Sequence, residues 1–274
     1  MRPVDIVIPI HDARDLTLRC IESVLAHATG EYRLVLADDA SKDPELIRFL
    51  DAVAAREPRA VLLRGERNLG FVGTCNAAME HARGRDVLLL NSDTVVTAGF
   101  LDRIRACVYE LPDTGIACPL SNNATILSVP RFCADNPLPH GHTIDSFAEL
   151  IARASPRLRT PIVTAVGFCM YVRADVVERI GFFDGASFGR GYGEENDYSL
   201  RARAAGFRIR LCDDLFVAHV GNASFGERAR AEQQAGNEAM ARLHPTYHDD
   251  VQRFLREDPL APARAAIVRS LERH

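Results

Sequence analysis

The sequence predicts an α/β protein with a mostly parallel central sheet flanked by helices. Short apolar runs typical of buried strands recur along the first part of the chain, and helical patterns of suitable length separate them. This alternation is typical of parallel strands joined by crossover helices. The expected strands are 4–10, 32–37, 60–64, 86–91 and 115–119, and the expected helices are 14–27, 44–56, 71–82 and 98–111.

The first strand and helix show the local reasons for these elements. Pro9, near the end of the first strand, cannot donate a ladder hydrogen bond, so we expect the chain to turn toward the rim of the sheet there. The first helix repeats apolar residues at helical spacing, with polar residues on its other side. The apolar residues are Leu16, Leu18, Ile21, Val24 and Leu25, and we expect them in the core.

The second half of the chain is less regular. Residues 120–160 contain several prolines and only one helical pattern, at 146–154, and a connection of this length is usually functional or mobile. Regular patterns return afterwards. We expect a strand at 162–172, a helix at 174–180, a glycine-rich loop at 181–193, a helix at 194–205 and strands at 207–212 and 215–220.

The segment after Gly226 is predicted to be helical, with breaks at Pro245 and Pro259. We therefore expect one domain over 1–225 and a C-terminal helical extension over 226–274. Within the domain, a first half at about 1–119 and a second half at about 120–225 differ in regularity.

Composition is that of an ordinary globular protein, with 47% hydrophobic and 26% charged residues. The net charge of -4 indicates no polybasic surface, so nucleic acid is not an expected partner. The seven cysteines are scattered and the N-terminus lacks the pattern of a secretory signal, which predicts free thiols in a cytoplasmic protein. We expect no membrane-spanning helix, because no uncharged apolar stretch reaches ~18 residues.

The most informative segment is the nearly all-apolar run at 86–90 followed by Asn91, Ser92 and Asp93. Sheets of this class bind ligands in the crevice beyond the carboxyl ends of their strands. A carboxylate there suits Mg²⁺, which accepts one or two protein carboxylates and takes its other ligands from substrate oxygens and water. These residues are also favoured helix caps. The tripeptide alone therefore does not decide between the first interpretation, a metal site, and the second, a helix cap.

Four other polar segments support the first interpretation. They are Pro9-Ile10-His11-Asp12, Ala37-Asp38-Asp39-Ala40-Ser41, Arg67-Asn68-Leu69-Gly70 and Gly193-Glu194-Glu195-Asn196-Asp197. With these four segments and residues 91–93 in this order, the chain resembles the family-two nucleotide-sugar glycosyltransferases, which have the GT-A fold. The resemblance extends over roughly residues 3–225. Within that family it is most similar to bacterial rhamnosyltransferases of surface polysaccharide assembly.

The resemblance implies a divalent cation, Mn²⁺ or Mg²⁺, held by Asp93 and His219. Asn91 stands where the family often has the first aspartate of Asp-X-Asp, so Asp93 is expected to be the principal carboxylate ligand. His219 ends an apolar run and could bind the metal through an imidazole nitrogen. A lone histidine is more often a structural residue, but the resemblance favours the ligand role.

The resemblance also implies which residues contact the donor nucleotide and its diphosphate. Asp38 or Asp39, not necessarily both, is expected to accept a hydrogen bond from the base, and an Asx turn is the alternative. Asp12 is explained equally well as a helix cap. Arg67 supplies a cation beside a helix N-terminus. The full expected set is Pro9, His11, Asp12, Asp38, Asp39, Arg67, Asn68, Gly70, Asn91 and Ser92.

Glu194 and Glu195 are the expected catalytic residues, since an inverting transfer needs one carboxylate to remove the acceptor proton. Glu195 matches the position of the base, and Glu194 is the close rival. Both also suit the first turn of a helix, where they offset the macrodipole. Gly167 and Phe168 resemble the segment on the acceptor side, although a buried strand explains them as well.

The resemblance thus implies a metal-dependent inverting glycosyltransferase that moves a sugar from a nucleoside diphosphate to a hydroxyl of a glycan or lipid-linked glycan. The leading donor is dTDP-rhamnose, followed by a UDP-hexose or UDP-N-acetylhexosamine. A sugar nucleotidyltransferase and a non-catalytic glycan-binding or assembly module are the alternatives from other classes. We also expect contact with the inner face of the membrane for a lipid-linked acceptor, and a homodimer through the C-terminal helices.

Overall fold

The computed structural model describes residues 1–221 and 227–273. Its strands are β1 (Val4–Ile10), β2 (Tyr32–Asp38), β3 (Ala60–Arg64), β4 (Asp86–Leu90), β5 (Thr94–Val95), β6 (Thr114–Leu120), β7 (Cys169–Val172), β8 (Arg208–Phe216) and β9 (Ala218–His219). Its helices are α1 (Arg14–His27), α2 (Pro44–Arg56), α3 (Gly70–His81), α4 (Phe100–Glu110), α5 (Ile144–Ala154), α6 (Ala174–Ile180), α7 (Gly185–Phe188), α8 (Glu194–Ala204), α9 (Glu227–Leu243), α10 (Tyr247–Glu257) and α11 (Ala261–Leu271).

The central sheet has the strand order β3-β2-β1-β4-β7-β6-β8. β1 pairs in parallel with β2 and β4, β2 with β3, and β6 with β8, while β7 is antiparallel to both of its neighbours. β5 and β9 form a separate antiparallel pair. The predicted class, a mostly parallel sheet flanked by helices, is confirmed.

The amino end of β4 is closed by a buried aspartate. Asp86 accepts hydrogen bonds from the hydroxyls of Tyr109 and Tyr171, both at 2.7 Å, and from the Ala174 N–H at 2.8 Å. A fully buried carboxylate needs such partners, because an unpaired one would cost several kcal/mol. These contacts satisfy the carboxylate at the amino end of β4. The cavity described below lies at the opposite, carboxyl end of the strand.

Three sequence predictions are corrected. The strand expected at 162–172 exists only as β7, because the contact of this segment with β8 ends at the hydrogen bond from the Ile162 N–H to the Ile209 carbonyl, and residues 163–168 form no strand. The loop expected at 181–193 contains the short helix α7, which is capped by Asp184. The strands expected at 207–212 and 215–220 are one continuous β8 followed by β9 in the other sheet.

β8 continues through Asp213 and Asp214 because both carboxylates are satisfied. The buried Arg159 side chain forms ion pairs with both of them, and the Ser155 hydroxyl donates to Asp213 at 2.9 Å. Two adjacent aspartates in a strand would otherwise be costly to bury. Their partners lie more than fifty residues away in sequence, so a local pattern does not reveal them.

The C-terminal extension packs on the rest of the chain. Phe254, Leu260 and Ile267 belong to the main hydrophobic core, while Met240 of α9 packs in a smaller cluster with Phe188 of α7. The predicted boundary between residues 225 and 226 lies outside the described residues.

Two expectations from composition are met by the described residues. All seven cysteines are unpaired, and only Cys133 is exposed. Within 1–221 and 227–273, no helix combines the length and the apolar character needed to cross a bilayer.

Candidate active site

A cavity of about 620 Å³ lies beyond the carboxyl ends of β1, β2 and β4. This volume is in the range of small-molecule sites. Most of the predicted site residues line it, from both halves of the chain: Pro9, His11, Asp39, Asn68, Gly70, Asn91, Ser92, Asp93, Gly167, Phe168, Glu194, Glu195 and His219. The fold therefore gathers residues that are far apart in sequence around one hollow.

Asp93 and His219 meet because β5 pairs with β9. The pairing places Thr94 opposite His219, and His219 Nε2 lies 3.4 Å from Asp93 Oδ1. The other carboxylate oxygen of Asp93 accepts the Gly221 N–H at 3.1 Å. His219 Nδ1 donates to the Asn123 carbonyl at 2.6 Å, since a carbonyl only accepts. Nε2 of a neutral His219 is therefore the nitrogen available for a ligand.

The electrostatics of this pair favour an ionised carboxylate. Burial by itself raises the pKa of Asp93, but the hydrogen bond and charge of His219 and the Gly221 N–H outweigh it, and the pKa is lowered overall. Burial lowers the pKa of His219, but the hydrogen bond and the charge of Asp93 raise it, and the net shift is upward. The ring of Phe168 stacks on His219 at 5.2 Å and fixes its plane.

Glu194 and Glu195 open α8 after Gly193, whose φ of 104° is a conformation that favours glycine. Glu194 is buried, with 5% of its surface exposed, and its Oε2 atom has no hydrogen-bond partner. Glu195 is less buried and lies against Gly167, where an added Cβ would be 3.9 Å from Glu195 Cγ. Both residues thus line the cavity, with different degrees of exposure.

Burial raises the pKa of Glu194 to about 8, and the neighbouring charge of Glu195 adds to the shift. Burial also raises the pKa of Glu195, while the backbone N–H groups of Glu195 and Gly193 oppose the shift. Two adjacent carboxyls whose pKa values are raised share protons more readily than two exposed ones. A carboxyl whose pKa is raised is a stronger base once ionised, which suits the acceptance of a proton.

The opposite side of the cavity is organised around Asp39. Its carboxylate accepts the backbone N–H groups of Leu69 at 2.5 Å and Gly70 at 2.8 Å, so it occupies the N-terminus of α3. His11 Nδ1 donates to the Asp39 carbonyl, and His11 Nε2 accepts from the Asn68 amide. The Asn68 Oδ1 atom is then buried without a partner.

Asp12, Asp38 and Arg67 do not line the cavity. Asp12 accepts the Lys42 N–H at 2.7 Å, a bond that lowers its pKa. Asp38 accepts the Ser41 N–H at 3.0 Å and pairs with Arg64 at 3.1 Å. These contacts are structural. The helix cap expected as the alternative for Asp12 is wrong, because α1 begins after Ala13 without a side-chain cap and Asp12 instead accepts from the segment before α2. Arg67 is exposed beside the site. The nucleotide contacts expected of these three side chains remain predictions.

Arg190, Tyr192 and Glu232 line the cavity and were not predicted. Arg190 and Tyr192 lie in the glycine-rich loop before Glu194, and the proximity of that motif was the available signal. Glu232 lies on α9, where no feature of the sequence distinguishes it from other charged residues of an exposed helix.

A family model described as "Glycosyl transferase family 2" matches residues 5–181, which is more than half of the chain. The chain belongs to glycosyltransferase family 2. The matched residues include the segments around Asp39, Asn68 and Asp93, whereas Glu195 and His219 lie beyond the match.

Two relatives illustrate the family 2 context. The succinoglycan biosynthesis protein ExoO of Rhizobium meliloti is 30% identical over 160 residues, which are 58% of this chain and 40% of ExoO. The Escherichia coli protein named UDP-Glc:alpha-D-GlcNAc-diphosphoundecaprenol beta-1,3-glucosyltransferase WfgD is 30% identical over 99 residues, covering 36% of this chain and 38% of WfgD. The chain thus matches less than half the length of these relatives.

Solved structures confirm the predicted GT-A fold of this family 2 chain. GalNAc-T7 with UDP, GalNAc and Mn²⁺ superposes with a TM-score of 0.62 at 16% identity, over 82% of this chain and 45% of that one. The mannosyltransferase PcManGT from Pyrobaculum calidifontis, in complex with GDP-Man and Mn²⁺, superposes with a TM-score of 0.59 at 15% identity, over 97% of this chain and 85% of that one.

The residues of this family 2 site fit a divalent cation. Asp93 offers a carboxylate, His219 an imidazole nitrogen and Asn91 a buried Oδ1 atom without a hydrogen-bond partner. No cluster of three or more His, Cys, Asp or Glu side chains placed to hold a metal occurs in 1–221 or 227–273. A cation bound here would depend on substrate oxygens for several of its ligands, as Mg²⁺ and Mn²⁺ sites often do.

Proposed function

We propose that this chain is a metal-dependent inverting glycosyltransferase that transfers a sugar from a nucleoside diphosphate to a hydroxyl of a glycan or lipid-linked glycan. One observation supports this function best. Four residues that line the cavity together with Asp93 and His219 each hold a buried oxygen atom without a hydrogen-bond partner, and these atoms are Asn68 Oδ1, Thr74 Oγ1, Asn91 Oδ1 and Glu194 Oε2. Buried polar atoms are rarely left unpaired, so their convergence indicates a polar ligand.

The proposed reaction is a direct displacement. The acceptor oxygen attacks the anomeric carbon while the bond to the diphosphate oxygen breaks, and the acceptor proton passes to a carboxylate. Glu195 is our proposed base, because it is the more exposed of the two glutamates, and Glu194 is the alternative. Asp93 and His219 would hold the cation, which would neutralise charge on the departing diphosphate.

The donor proposed first is dTDP-rhamnose, on the resemblance of the sequence to rhamnosyltransferases. UDP-glucose is the second candidate, and it is supported by the name of the WfgD relative, which specifies UDP-Glc. Either donor presents a pyrimidine and a diphosphate, so the choice does not alter the roles proposed for the protein residues.

The proposed acceptor is a growing surface polysaccharide. The ExoO relative is named for succinoglycan biosynthesis, and the WfgD name specifies a diphosphoundecaprenol acceptor. We propose that an acceptor of the second kind is met at the cytoplasmic face of a membrane, through surface contact.

The test is a thermal-shift panel of dTDP, UDP and GDP, each with Mn²⁺ or with a chelator. We expect dTDP or UDP to raise the melting temperature with Mn²⁺ and much less without it. Asp93→Ala should remove the metal-dependent part, whereas Asp102→Ala, an exposed aspartate on α4, should behave like the unmodified protein. Indifference of the unmodified protein to every nucleotide would contradict the proposal.

A turnover assay separates the transferase from the other classes. A transferase should slowly hydrolyse its sugar nucleotide to a nucleoside diphosphate when acceptor is absent. A nucleotidyltransferase would instead release a nucleoside triphosphate from sugar nucleotide and pyrophosphate. Nucleotide binding without either product would favour a non-catalytic module.

A further inference from the structure

Arg190 connects the two halves of the cavity. It lies in the loop between α7 and α8, and its Nη1 atom donates to the Asn68 carbonyl at 3.1 Å. Its own carbonyl accepts the Val72 N–H at 3.4 Å. Its side chain covers Gly70 so closely that a Cβ added there would be 2.8 Å from Arg190 Cβ. The guanidinium is therefore held beside the segment expected to contact the nucleotide.

The charge of the cavity makes this position important. Asp39, Asp93, Glu194, Glu195 and Glu232 all line it. Among the lining residues from 1–221 and 227–273, Arg190 is the one arginine or lysine. A diphosphate entering such a cavity meets several carboxylates, so it needs cationic partners in addition to a metal.

Glu232 is the carboxylate nearest to Arg190 on α9. Its Oε1 atom is 3.8 Å from Arg190 Nε, a long contact between two partly exposed side chains. A pair of this kind is weak, and a phosphate offers a guanidinium two parallel hydrogen bonds that are stronger. A phosphate can therefore replace Glu232 as the partner of Arg190.

We propose that Arg190 binds the diphosphate of the donor and that Glu232 competes with the diphosphate for this guanidinium. The inference rests on the proposed function, because it assumes a nucleoside diphosphate in this cavity. It also makes α9, outside the residues of the family match, a contributor to donor affinity.

The test compares UDP, UMP and uridine, or the thymidine series, by calorimetric titration with Mn²⁺ present. We expect Arg190→Ala to weaken diphosphate binding by about 10- to 100-fold, the loss typical of a charge-assisted hydrogen bond, and to change nucleoside binding less than about 2-fold. Arg190→Lys should recover part of the loss, because it restores the charge without the planar fork. Arg48→Ala, an exposed arginine on α2, is the matched control.

Glu232→Gln tests the second part of the inference. It should tighten diphosphate binding by roughly 2- to 5-fold, because it removes the competing charge of Glu232. The size of this effect is that expected for a partly exposed ion pair. Glu238→Gln, an exposed glutamate on the same helix, should leave the affinity unchanged. Weaker or equal diphosphate binding by Glu232→Gln would overturn the competition.

Two results would overturn the role of Arg190. One is unchanged diphosphate affinity in Arg190→Ala, above all if Arg67→Ala lowers it instead. The other is an equal loss for diphosphate and nucleoside, which would indicate a structural role. In both cases nucleotide binding by the unmodified protein would leave the proposed function standing, whereas failure of that protein to bind any nucleotide would overturn both.

Discussion

The two glutamates at the start of α8 can be separated by single substitutions. We predict that Glu195→Gln lowers the turnover number by roughly 10²- to 10⁴-fold, the usual contribution of a general base, while the donor dissociation constant stays nearly constant. The amide keeps the shape of the side chain but cannot accept the proton. Transfer rates and donor titrations of Glu194→Gln and Glu195→Gln should be measured side by side. Normal transfer by Glu195→Gln together with inactive Glu194→Gln would reverse our assignment of the base.

The raised pKa of Glu194 has a second consequence, for stability. In the folded protein its pKa is about 8, and its ordinary value is 4.5, so between these pH values the folded chain holds a proton that the unfolded chain has released. The free energy of unfolding should therefore fall as pH rises from about 4.5 to 8, by on the order of 2–4 kcal/mol. Below pH 4.5 this contribution is fully present.

The measurement is urea unfolding at several pH values without nucleotide. Glu194→Gln should flatten the decline between pH 4.5 and 8 and be more stable than the unmodified protein at pH 8. Glu149→Gln, an exposed glutamate on α5, should retain the full slope. An equal slope in all three proteins would mean that Glu194 is ionised in the fold near its ordinary pKa.

At the scale of elements, the contact between α9 and the loop before α8 is unusually close. A Cβ added at Gly236 would lie 1.9 Å from the Tyr192 carbonyl oxygen, which is backbone and cannot simply rotate away. Alanine is favoured over glycine in helices by about 1 kcal/mol, so propensity alone predicts that Gly236→Ala stabilises the protein. We predict the opposite, a loss of roughly 1–3 kcal/mol from overpacking, with weaker nucleotide binding.

Chemical unfolding and nucleotide titration of Gly236→Ala would check this sign. Gln233→Ala, one turn earlier on an exposed position of α9, should change the free energy of unfolding by no more than about 0.5 kcal/mol. A stabilised Gly236→Ala would show that the helix can shift away from Tyr192 at little cost.

Elements whose identity depends on local pattern were predictable, and those fixed by distant partners were not. β1 and β4 are buried on both faces of the mostly parallel sheet, so their sequences are nearly continuous apolar runs. Residues 162–168 are mostly apolar as well, yet they form no strand, and their backbone contacts are isolated, such as the hydrogen bond from the Ile162 N–H to the Ile209 carbonyl of β8. Helix α7 is a single turn fixed by its cap, too short for a periodic signal.

The same distinction applies to the site. Residues that follow strands, such as Asp39 and Asp93, could be placed from sequence because the carboxyl ends of parallel strands share one edge of the sheet. Arg190 and Glu232 could not, because their positions depend on how the α7–α8 loop and the C-terminal helices return to that edge. His219 lay between these cases, since its meeting with Asp93 requires the β5–β9 pairing.

At the scale of the whole molecule, the C-terminal extension and the sheet domain share one core. Phe254, Leu260 and Ile267 are buried with residues of the sheet domain, and His244 Nε2 lies 2.8 Å from Asp197 Oδ1 of α8. Elements that bury their apolar surface against one another gain most of their stability jointly. We therefore predict that the extension does not unfold separately, and that calorimetry shows one transition with equal calorimetric and van't Hoff enthalpies.

His244→Ala distinguishes a shared core from a loosely attached extension. The substitution removes one partner of the buried Asp197 carboxylate and leaves Arg201 as the other. The single transition should therefore move to lower temperature by a few degrees and remain single. His248→Ala, an exposed position on α10, should leave the transition temperature unchanged. Two transitions in the unmodified protein, with hydrogen exchange in 247–271 much faster than in β1 and β4, would contradict a common core. Because Glu232 reaches the cavity from α9, a separately melting extension would also loosen the donor site before the sheet unfolds.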